Sequence, residues 1–419
     1  TDLGDPRART VLLEKLLFFI PALAFAAVAP LAQVHTQAML SLRDYGVPPR
    51  IAQMCYGLVF YLRKTAAPLG LSPLYELHAG VQLTNPPFLY SALAVGVITV
   101  SLFLLRRRWP AGLAAWACYA LILMPVSGLV QNGPQITADR YSYLSCLPWA
   151  LLIGAGLVAV AAARVVTDSR LAALLLGAAC LGTGAAAALT HSQSKIWQDS
   201  VSLWTRAVAV EPRSIVGNLN LGRAYYLMGR DDLAAEHYRR SLQAKPTHLE
   251  ALFNLANAMN RAGRPGLAIE YYRRALLVEP GYASAYMNLG LVQYSLGHHA
   301  DALVNLREAA RLELSKIKAL NIHPFNNLAW ALATCPDTSL RNGVEAVQIA
   351  ERACAIAGRP DAGLLNTLAA AYAQAGRFDD AVRTARRAVQ LARAAGKESL
   401  AGLIDRCVAL YESRQPYRE

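Results

Sequence analysis

The chain has 419 residues, a mean hydropathy of +0.27 and a formal net charge of +13. This length suggests two or three domains, and a charged fraction of 16% is low for a soluble protein of this size. The longest basic run is Arg106–Arg108, with no interleaved aromatic residues. We therefore assign the positive charge to membrane flanks and Arg-rich helix faces, and expect no nucleic-acid partner.

The seven cysteines form no CxxC pair, and the eight histidines do not cluster with acids or cysteines. The sequence therefore predicts no metal site, and no cofactor motif is evident. Cys335 and Cys354 could form a disulfide in an oxidising compartment, or could be two small core residues.

Apolar runs long enough to cross about 30 Å of hydrocarbon dominate the first 190 residues. Any one of them could be the buried helix of a soluble protein, but five together favour a membrane domain. They lie at 11–34, 88–105, 112–130, 144–163 and 171–189. We therefore predict an all-α protein that begins with a multi-span transmembrane helical bundle over residues 1–195.

The segment 51–62 is apolar but too short to span a membrane, because Arg63 and Lys64 follow it directly. We predict that it forms an amphipathic helix at the outer membrane interface. If it did span, the orientation of every later segment would reverse.

Basic residues in short loops set the orientation of a membrane protein. Arg106–Arg108, Arg164 and Arg170 predict that the loops carrying them are cytoplasmic. The polar loop that carries Asp139 and Arg140 would then lie outside, at the membrane surface. Everything after the fifth span would lie on the same side, which is the periplasm for a bacterial inner-membrane protein.

Beyond residue 195 the sequence repeats with a period of 34 residues. Small residues such as Gly222, Ala256 and Gly290 recur in register and would let antiparallel helices pack closely. This is the tetratricopeptide (TPR) signature, and it predicts an α-solenoid over residues 196–395. The array has a partial unit at 196–214 and further units at 215–248, 249–282, 283–316, 323–360 and 362–395, followed by a capping helix and tail at 396–419.

One column of residues in the array is polar. Asn220, Asn254 and Asn288 are spaced by 34 residues, and Asn327 joins them when an insertion of about five residues is removed. Their amides could bind the N–H and C=O groups of an extended polypeptide on the concave surface, whatever its sequence. The column resembles the asparagine ladder of the TPR superhelix in O-GlcNAc transferase. Alternatively, each Asn could bond a neighbouring helix end.

Several segments together resemble bacterial relatives of the transmembrane-and-TPR protein O-mannosyltransferases, the TMTC family of GT-C membrane glycosyltransferases. The matching pieces are LLEKLLFFIPAL (12–23), YLRKTAAPLGLSPLY (61–75), PVSGLVQNGPQITADRYSYL (125–144) and WQDSVSLWTRAVAVEP (197–212). The chain is similar to the C-terminal portion of such a protein. The most specific piece is the ADRY core of segment 125–144.

The resemblance implies transfer of a sugar, mannose in this family, from a polyprenyl-phosphate donor to protein Ser or Thr hydroxyls. The TPR array would bind the acceptor polypeptide. Such chemistry needs a carboxylate base and cations for the departing lipid phosphate. In GT-C enzymes the acid lies in the first outer loop, which we expect upstream of this sequence, so no catalytic residue is assigned.

We expect Arg140 and Lys64 to contact the lipid phosphate, because both are cationic and both lie in segments that match the family. Arg140 could instead pair with Asp139 or extend to lipid headgroups.

Two other functions fit the same sequence. The chain could be a membrane-anchored TPR scaffold without catalysis, which assembles envelope proteins outside the membrane. It could also be a cytoplasmic TPR domain attached to a transporter-like membrane part, which would contradict the orientation predicted above. The implied partners are membrane lipid and proteins held on the concave face.

Overall fold

The computed structural model describes residues 46–76, 81–128, 135–162, 169–315 and 321–419. The chain divides into two compact units, residues 1–221 and 222–419. Composition placed the boundary at residue 195, where the charged fraction rises. The predicted span 11–34 and the loop residue Arg164 lie outside the described residues.

The described part of the first unit is mostly helical. Its helices are α1 (Val47–Ala66), α2 (Pro86–Leu104), α3 (Pro110–Leu123), the single turn α4 (Ser142–Ser145), α5 (Leu147–Ala162), α6 (Ser169–Ser194) and α7 (Ser200–Val210). Helix α8 (Ile215–Leu227) begins in this unit and ends in the second.

Two helical segments of the described chain, Pro86–Arg107 and Ser142–Ala159, are long and apolar enough to cross a membrane, judged by length and composition. The predicted span 112–130 corresponds to a shorter apolar segment, Pro110–Val126, because the α-helix stops at Leu123 and a 3-10 turn containing Pro125 follows. The predicted span 171–189 falls within α6, where several side chains lie outside the described set. The described residues therefore do not support a five-span bundle.

The segment predicted as an interfacial helix, 51–62, belongs to the longer α1. Prolines occupy the first turn, where no backbone N–H is needed, and Pro68 follows the last residues. One face of α1 is buried against α3 in a cluster of aromatic and leucine side chains. Tyr119 donates a hydrogen bond to the carbonyl of Leu58 at 2.6 Å and so joins the two helices.

A two-stranded ribbon corrects the all-α prediction. Strand β1 (Tyr75–Glu76) pairs antiparallel with β2 (Gln135–Thr137). Pro73 keeps the chain before β1 out of helical conformation, and pairing with β2 satisfies backbone groups of the strand. The backbone N–H of Ala138 donates to the Tyr61 hydroxyl at 3.0 Å, which fixes the ribbon to α1.

The second unit is a series of antiparallel helix pairs. After α8 come α9 (Asp231–Ala244), α10 (Leu249–Arg261), α11 (Pro265–Val278), α12 (Ala283–Ser295), α13 (His299–Leu314), α14 (His323–Thr334), α15 (Gly343–Ala357), α16 (Ala362–Gln374), α17 (Phe378–Ala394) and α18 (Glu398–Glu412). We refer to 215–248, 249–282, 283–316, 323–360 and 362–395 as repeats 1 to 5, each with a first and a second helix.

The periodic small residues lie where helices approach most closely. Ala234, Ala268 and Ala302 occur once in each second helix of repeats 1 to 3, and all three are fully buried. The first helices of the same repeats are followed by glycines at 229, 263 and 297, whose φ angles are +74°, +73° and +81°. This left-handed conformation ends each helix at little steric cost for glycine. The period read from the sequence therefore reflects helix packing and helix termination.

We predict that Gly290→Ala destabilises the array by about 1–3 kcal/mol. A Cβ atom at this position would lie 2.9 Å from the Leu306 Cγ and 3.0 Å from the carbonyl oxygen of Ala302, which belongs to the packed backbone of α13. Thermal and urea unfolding of the purified chain would measure the change.

Gly402→Ala is the matched control, because a Cβ there meets no atom within 4 Å and the residue lies in a helix. This variant should be neutral or more stable by up to about 1 kcal/mol from helix propensity. Equal stability of the two variants would contradict the packing role of Gly290.

Candidate functional site

Lys64, one of the two predicted phosphate ligands, lies in the last turn of α1 and is buried. Its Nζ donates hydrogen bonds to the carbonyl oxygens of Leu69 at 2.5 Å and Gly70 at 3.1 Å. The ammonium also lies 5.5 and 5.4 Å from the ring centroids of Phe60 and Tyr75. Burial lowers the pKa of this ammonium. In this arrangement Lys64 holds the loop after α1, and its role toward a lipid phosphate stays a prediction.

Asp139 lies at the start of a 3-10 turn, Asp139–Tyr141, directly after β2. Its Oδ2 accepts hydrogen bonds from the backbone N–H of Ser72 at 2.5 Å and from the Tyr75 hydroxyl at 3.1 Å. Its Oδ1 is buried and has no hydrogen-bond partner among the described residues. Burial is the main reason that the pKa of this carboxyl is raised. The side chain of Arg140 lies outside the described set, so its phosphate role stays a prediction.

A small cavity adjoins Asp139. It has a volume of about 40 Å³ and is lined in part by Ser72, Trp197 and Arg206. The Nε of Arg206 donates to the carbonyl oxygen of Leu71 at 3.0 Å. The volume suffices for a water molecule or a single hydroxyl group but is far below the roughly 300 Å³ of a typical small-molecule pocket. This arrangement can hold one hydrogen-bonding group between a carboxylate and a guanidinium, and cannot enclose a sugar.

Glu76 caps the start of α8, a structural role that the sequence did not reveal. It is buried, and its Oε1 accepts a hydrogen bond from the Ser214 hydroxyl at 3.0 Å. The same carboxylate accepts from the backbone N–H groups of Ile215, at 2.9 Å, and Val216. These groups begin α8, whose N-terminus carries partial positive charge. The partners lie 138 to 140 residues from Glu76, so no local sequence signal could have revealed them.

The second unit carries a groove of about 460 Å³ formed mainly by the first helices of successive repeats. Helix α10 contributes Asn257, Asn260 and Arg261, and helix α12 contributes Asn288, Leu291, Val292 and Ser295, with Tyr226 and Tyr272 completing the lining. We call this the central groove.

Asn257 is fixed in one orientation by its neighbours. Its Oδ1 accepts hydrogen bonds from the Tyr272 hydroxyl at 2.5 Å and from the Asn288 Nδ2 at 2.9 Å. The Asn288 Nδ2 can only donate, so its bond places the Asn257 oxygen, and not the NH2 group, on the side of Asn288 and Tyr272. The NH2 group of Asn257 makes no hydrogen bond with a described residue. A preorganised donor therefore lines the central groove.

The Arg261 side chain of repeat 2 is already paired with residues of repeat 1. Its guanidinium lies 3.5 Å from the ring centroid of Tyr226 and forms an ion pair with Asp231 at 2.5 Å. The hydrogen bond to Asp231 is the main reason that the pKa of Arg261 is raised. Arg261 therefore shapes the wall of the groove.

The four asparagines of the predicted column are each half-buried, but their contacts differ. Asn288 lines the central groove and bonds Asn257. Asn220 donates to the carbonyl oxygen of Val216, one turn earlier in its own helix, at 3.0 Å. Asn254 and Asn327 do not line this groove. Binding of polypeptide by the column stays a prediction, and Asn257, three positions after Asn254, was not part of it.

Cysteines and metal ligands add no further site. Cys335 and Cys354 are free thiols in this structure, as are the other cysteines of the described chain. Within the described ranges, no group of three or more His, Cys, Asp or Glu side chains could hold a metal ion.

Family models described as tetratricopeptide repeat match residues 192–248 and 253–312, and another matches residues 362–395. This chain contains tetratricopeptide repeats. The tetratricopeptide repeats predicted from the 34-residue period are confirmed over these matched residues, and repeats of this kind form scaffolds for protein–protein interaction. The bounds of the individual units and the unit at 323–360 stay predictions.

Solved TPR structures are similar to part of the chain. It is 23% identical to TTC0263, a TPR protein of Thermus thermophilus, over 48% of this chain and 98% of that one, with a TM-score of 0.35. It is 15% identical to YrrB, a TPR protein with an unusual peptide-binding site, over 49% and 99% of the two chains, with a TM-score of 0.38. A Thermobaculum terrenum O-GlcNAc transferase is 24% identical over 34% and 26%, with a TM-score of 0.30. No curated protein sequence gives a significant match.

We predict that Glu76→Gln destabilises the start of α8 by about 1–3 kcal/mol. The amide has one oxygen in place of two, so its NH2 group would face a backbone N–H, and the attraction between the carboxylate and the helix N-terminus would be lost. Hydrogen exchange at the amides of Ile215 and Val216 should accelerate, as measured by mass spectrometry on the full chain.

Glu270→Gln makes the same chemical change on the exposed surface of α11 and should leave stability within about 0.5 kcal/mol. Unchanged exchange in Glu76→Gln would show that Ser214 alone suffices to cap the helix.

Proposed function

We propose that this chain is a membrane-associated TPR protein that holds an extended polypeptide in its central groove. The observation that carries the proposal is the fixed, unpartnered NH2 group of Asn257 in a groove of about 460 Å³. An extended polypeptide presents backbone carbonyl groups that need donors, and a donor held in place loses little entropy on binding. Recognition of backbone would make the groove tolerant of sequence.

The membrane part of the proposal rests on the two apolar helical segments Pro86–Arg107 and Ser142–Ala159. The basic run Arg106–Arg108 at the end of the first favours a cytoplasmic position for that end. We propose the inner membrane of a bacterium as the location, with the array on the periplasmic side.

We predict that Asn257→Asp weakens polypeptide binding about tenfold, which corresponds to about 1.4 kcal/mol. The carboxylate keeps an oxygen for Tyr272 and Asn288, so the packing of the groove is retained, but the donor is replaced by an acceptor. Reduced and carboxymethylated α-lactalbumin, which is permanently unfolded, is a suitable probe, with binding measured by fluorescence anisotropy at two salt concentrations.

Gln243→Glu introduces the same charge at an exposed position of α9 and should leave binding unchanged. Equal weakening by both variants would assign the effect to net charge. Full binding by Asn257→Asp would remove Asn257 from the interface and contradict the proposal.

We also propose a finer candidate function, transfer of a sugar from a polyprenyl-phosphate donor to protein Ser or Thr hydroxyls, with mannose as the expected sugar. The resemblance of segments 61–75 and 125–144 to the TMTC family supports it. A specific observation adds to this: Arg140 lies two residues before the apolar segment Ser142–Ala159, so a bilayer crossed by that segment would place Arg140 near the headgroups. A non-catalytic scaffold is the alternative.

In membranes that contain the protein, Arg140→Ala should lower transfer from radiolabelled polyprenyl-phosphate-mannose by about 100-fold or more, because a cation would no longer stabilise the departing phosphate. Arg140→Lys should retain part of the activity, since it keeps the charge.

Arg108→Ala is the matched control, because Arg108 is exposed and lies at the other end of the apolar helices in the predicted orientation. Wild-type transfer by Arg140→Ala would exclude Arg140 from the reaction. Absence of transfer by the unmodified protein, with polypeptide binding intact, would favour the scaffold.

A further inference from the structure

The last residues of the chain fold back on the array. Helix α18 ends at Glu412, and two residues later Arg414 adopts a left-handed conformation with φ of +55°. The N–H of Gln415 then donates to the carbonyl oxygen of Leu410 at 2.9 Å, and Pro416 prevents further helix. A left-handed residue other than glycine costs about 1–2 kcal/mol, so the contacts of the segment beyond it must offset this strain.

The segment Gln415–Glu419 contacts the first helix of repeat 4. The ring of Tyr417 lies 5.8 Å from that of Trp330, measured between centroids. The indole Nε1 of Trp330 donates to the Glu419 Oε2 at 2.9 Å. The backbone N–H of Glu419 donates to the carbonyl oxygen of Thr334 at 3.2 Å. An aromatic contact, a side-chain bond and a backbone bond together hold the segment against α14.

Arg418 connects the same segment to repeat 5. Its Nη1 donates to the Oε1 of Gln374 at 2.7 Å and to the carbonyl oxygen of Ala333 at 3.4 Å. The segment therefore lies against the first helices of both repeats. Arg418 and Glu419 remain exposed, so they rest on the surface of the array and not in its core.

Two buried amides lie on the same two helices that the segment contacts. Asn326 precedes Trp330 by about one turn of α14, so these two share a helix face, and Asn366 lies eight residues before Gln374 on α16. The Oδ1 atoms of both asparagines are buried without a hydrogen-bond partner among the described residues, and Asn366 is only 6% exposed. A buried acceptor without a partner costs about 1–3 kcal/mol and needs an explanation.

We propose that the first-helix faces of repeats 4 and 5 form a second polypeptide-binding surface, and that the chain's own segment Gln415–Glu419 is its resident occupant. The incoming ligand is an extended polypeptide with an aromatic residue followed by a basic and an acidic one. It displaces the segment and takes over the bonds from Trp330 and Gln374. The proposal stands on repeats 4 and 5 alone and survives failure of the central groove.

The tether makes the resident segment a strong competitor. A segment attached by a short connection acts at an effective concentration in the millimolar range. A free peptide of the same sequence therefore meets a surface that is already filled in the full chain. Removal of the segment should raise the binding of such a peptide at least tenfold.

A photo-crosslinking experiment tests this. The probe is a synthetic peptide of residues 412–419 with benzoylphenylalanine in place of Tyr417 and an amidated end. A chain that stops after Arg414 should be labelled at least ten times more than the full chain, with the crosslinks on α14. Trp330→Phe in the shortened chain keeps a ring but loses the N–H donor, and should reduce labelling severalfold.

Two controls define the background. A peptide with the positions of Arg418 and Glu419 exchanged should not label the shortened chain. Val344→Ala changes an exposed residue of α15 outside the proposed surface and should not alter labelling.

Equal labelling of the shortened and full chains, or labelling no greater than that of the exchanged peptide, would overturn the proposal. The segment would then serve only to complete the packing at the end of the array. If the shortened chain does not fold, a full chain with Arg418→Ala and Glu419→Gln replaces it. That chain should be labelled more than the unmodified one, and the same labelling would overturn the proposal.

Discussion

The organisation of the first unit depends on the hydrogen bonds between the buried Glu76 carboxylate and the first backbone N–H groups of α8. The early backbone N–H groups of a helix have no partner within it and are costly to bury unsatisfied. Here Glu76 accepts two of them, and the Ser214 hydroxyl accepts the N–H of Gly217 at 2.7 Å while donating to Glu76. The carboxylate in turn is stabilised by these donors and by the positive end of the helix. Burial of the Glu76 carboxylate and burial of the N-terminal N–H groups of α8 therefore depend on each other, because each supplies the hydrogen-bond partners of the other.

The periodic features of this chain were predictable from its sequence, whereas contacts that occur only once were not. The small residues that pack in every repeat, such as Ala234 and Ala268, recur at a fixed spacing, so the array was predictable from pattern alone. The partnership of Glu76 with α8 joins segments more than 130 residues apart, and the ribbon of β1 and β2 joins segments about 60 residues apart. Each occurs once and has no period. Apolar runs predicted helices correctly, but run length alone set the predicted span 112–130 beyond the helix end at Leu123.

The candidate ligand-binding residues differ in whether their polar groups already form hydrogen bonds or ion pairs within the protein. Lys64 donates to two carbonyl groups and lies between aromatic rings, and Arg261 is paired with Asp231 and stacked on Tyr226. Residue type and position in the sequence made Lys64 a candidate, but its present partners are internal. Asn257 has internal partners for its oxygen only, which leaves a fixed donor. A sequence cannot show this difference, because it depends on which neighbours reach each atom.

The two proposed surfaces of the array differ in the same respect. In the central groove, an oriented donor lacks a partner, so a ligand is needed only to supply an acceptor. On repeats 4 and 5, Trp330 and Gln374 already bind the chain's own segment, while the buried acceptors of Asn326 and Asn366 remain unsatisfied. A ligand gains there only by making more bonds than the segment it replaces. In the two proposals, binding at the first surface is therefore limited by the contacts of the ligand, and binding at the second by competition within the chain.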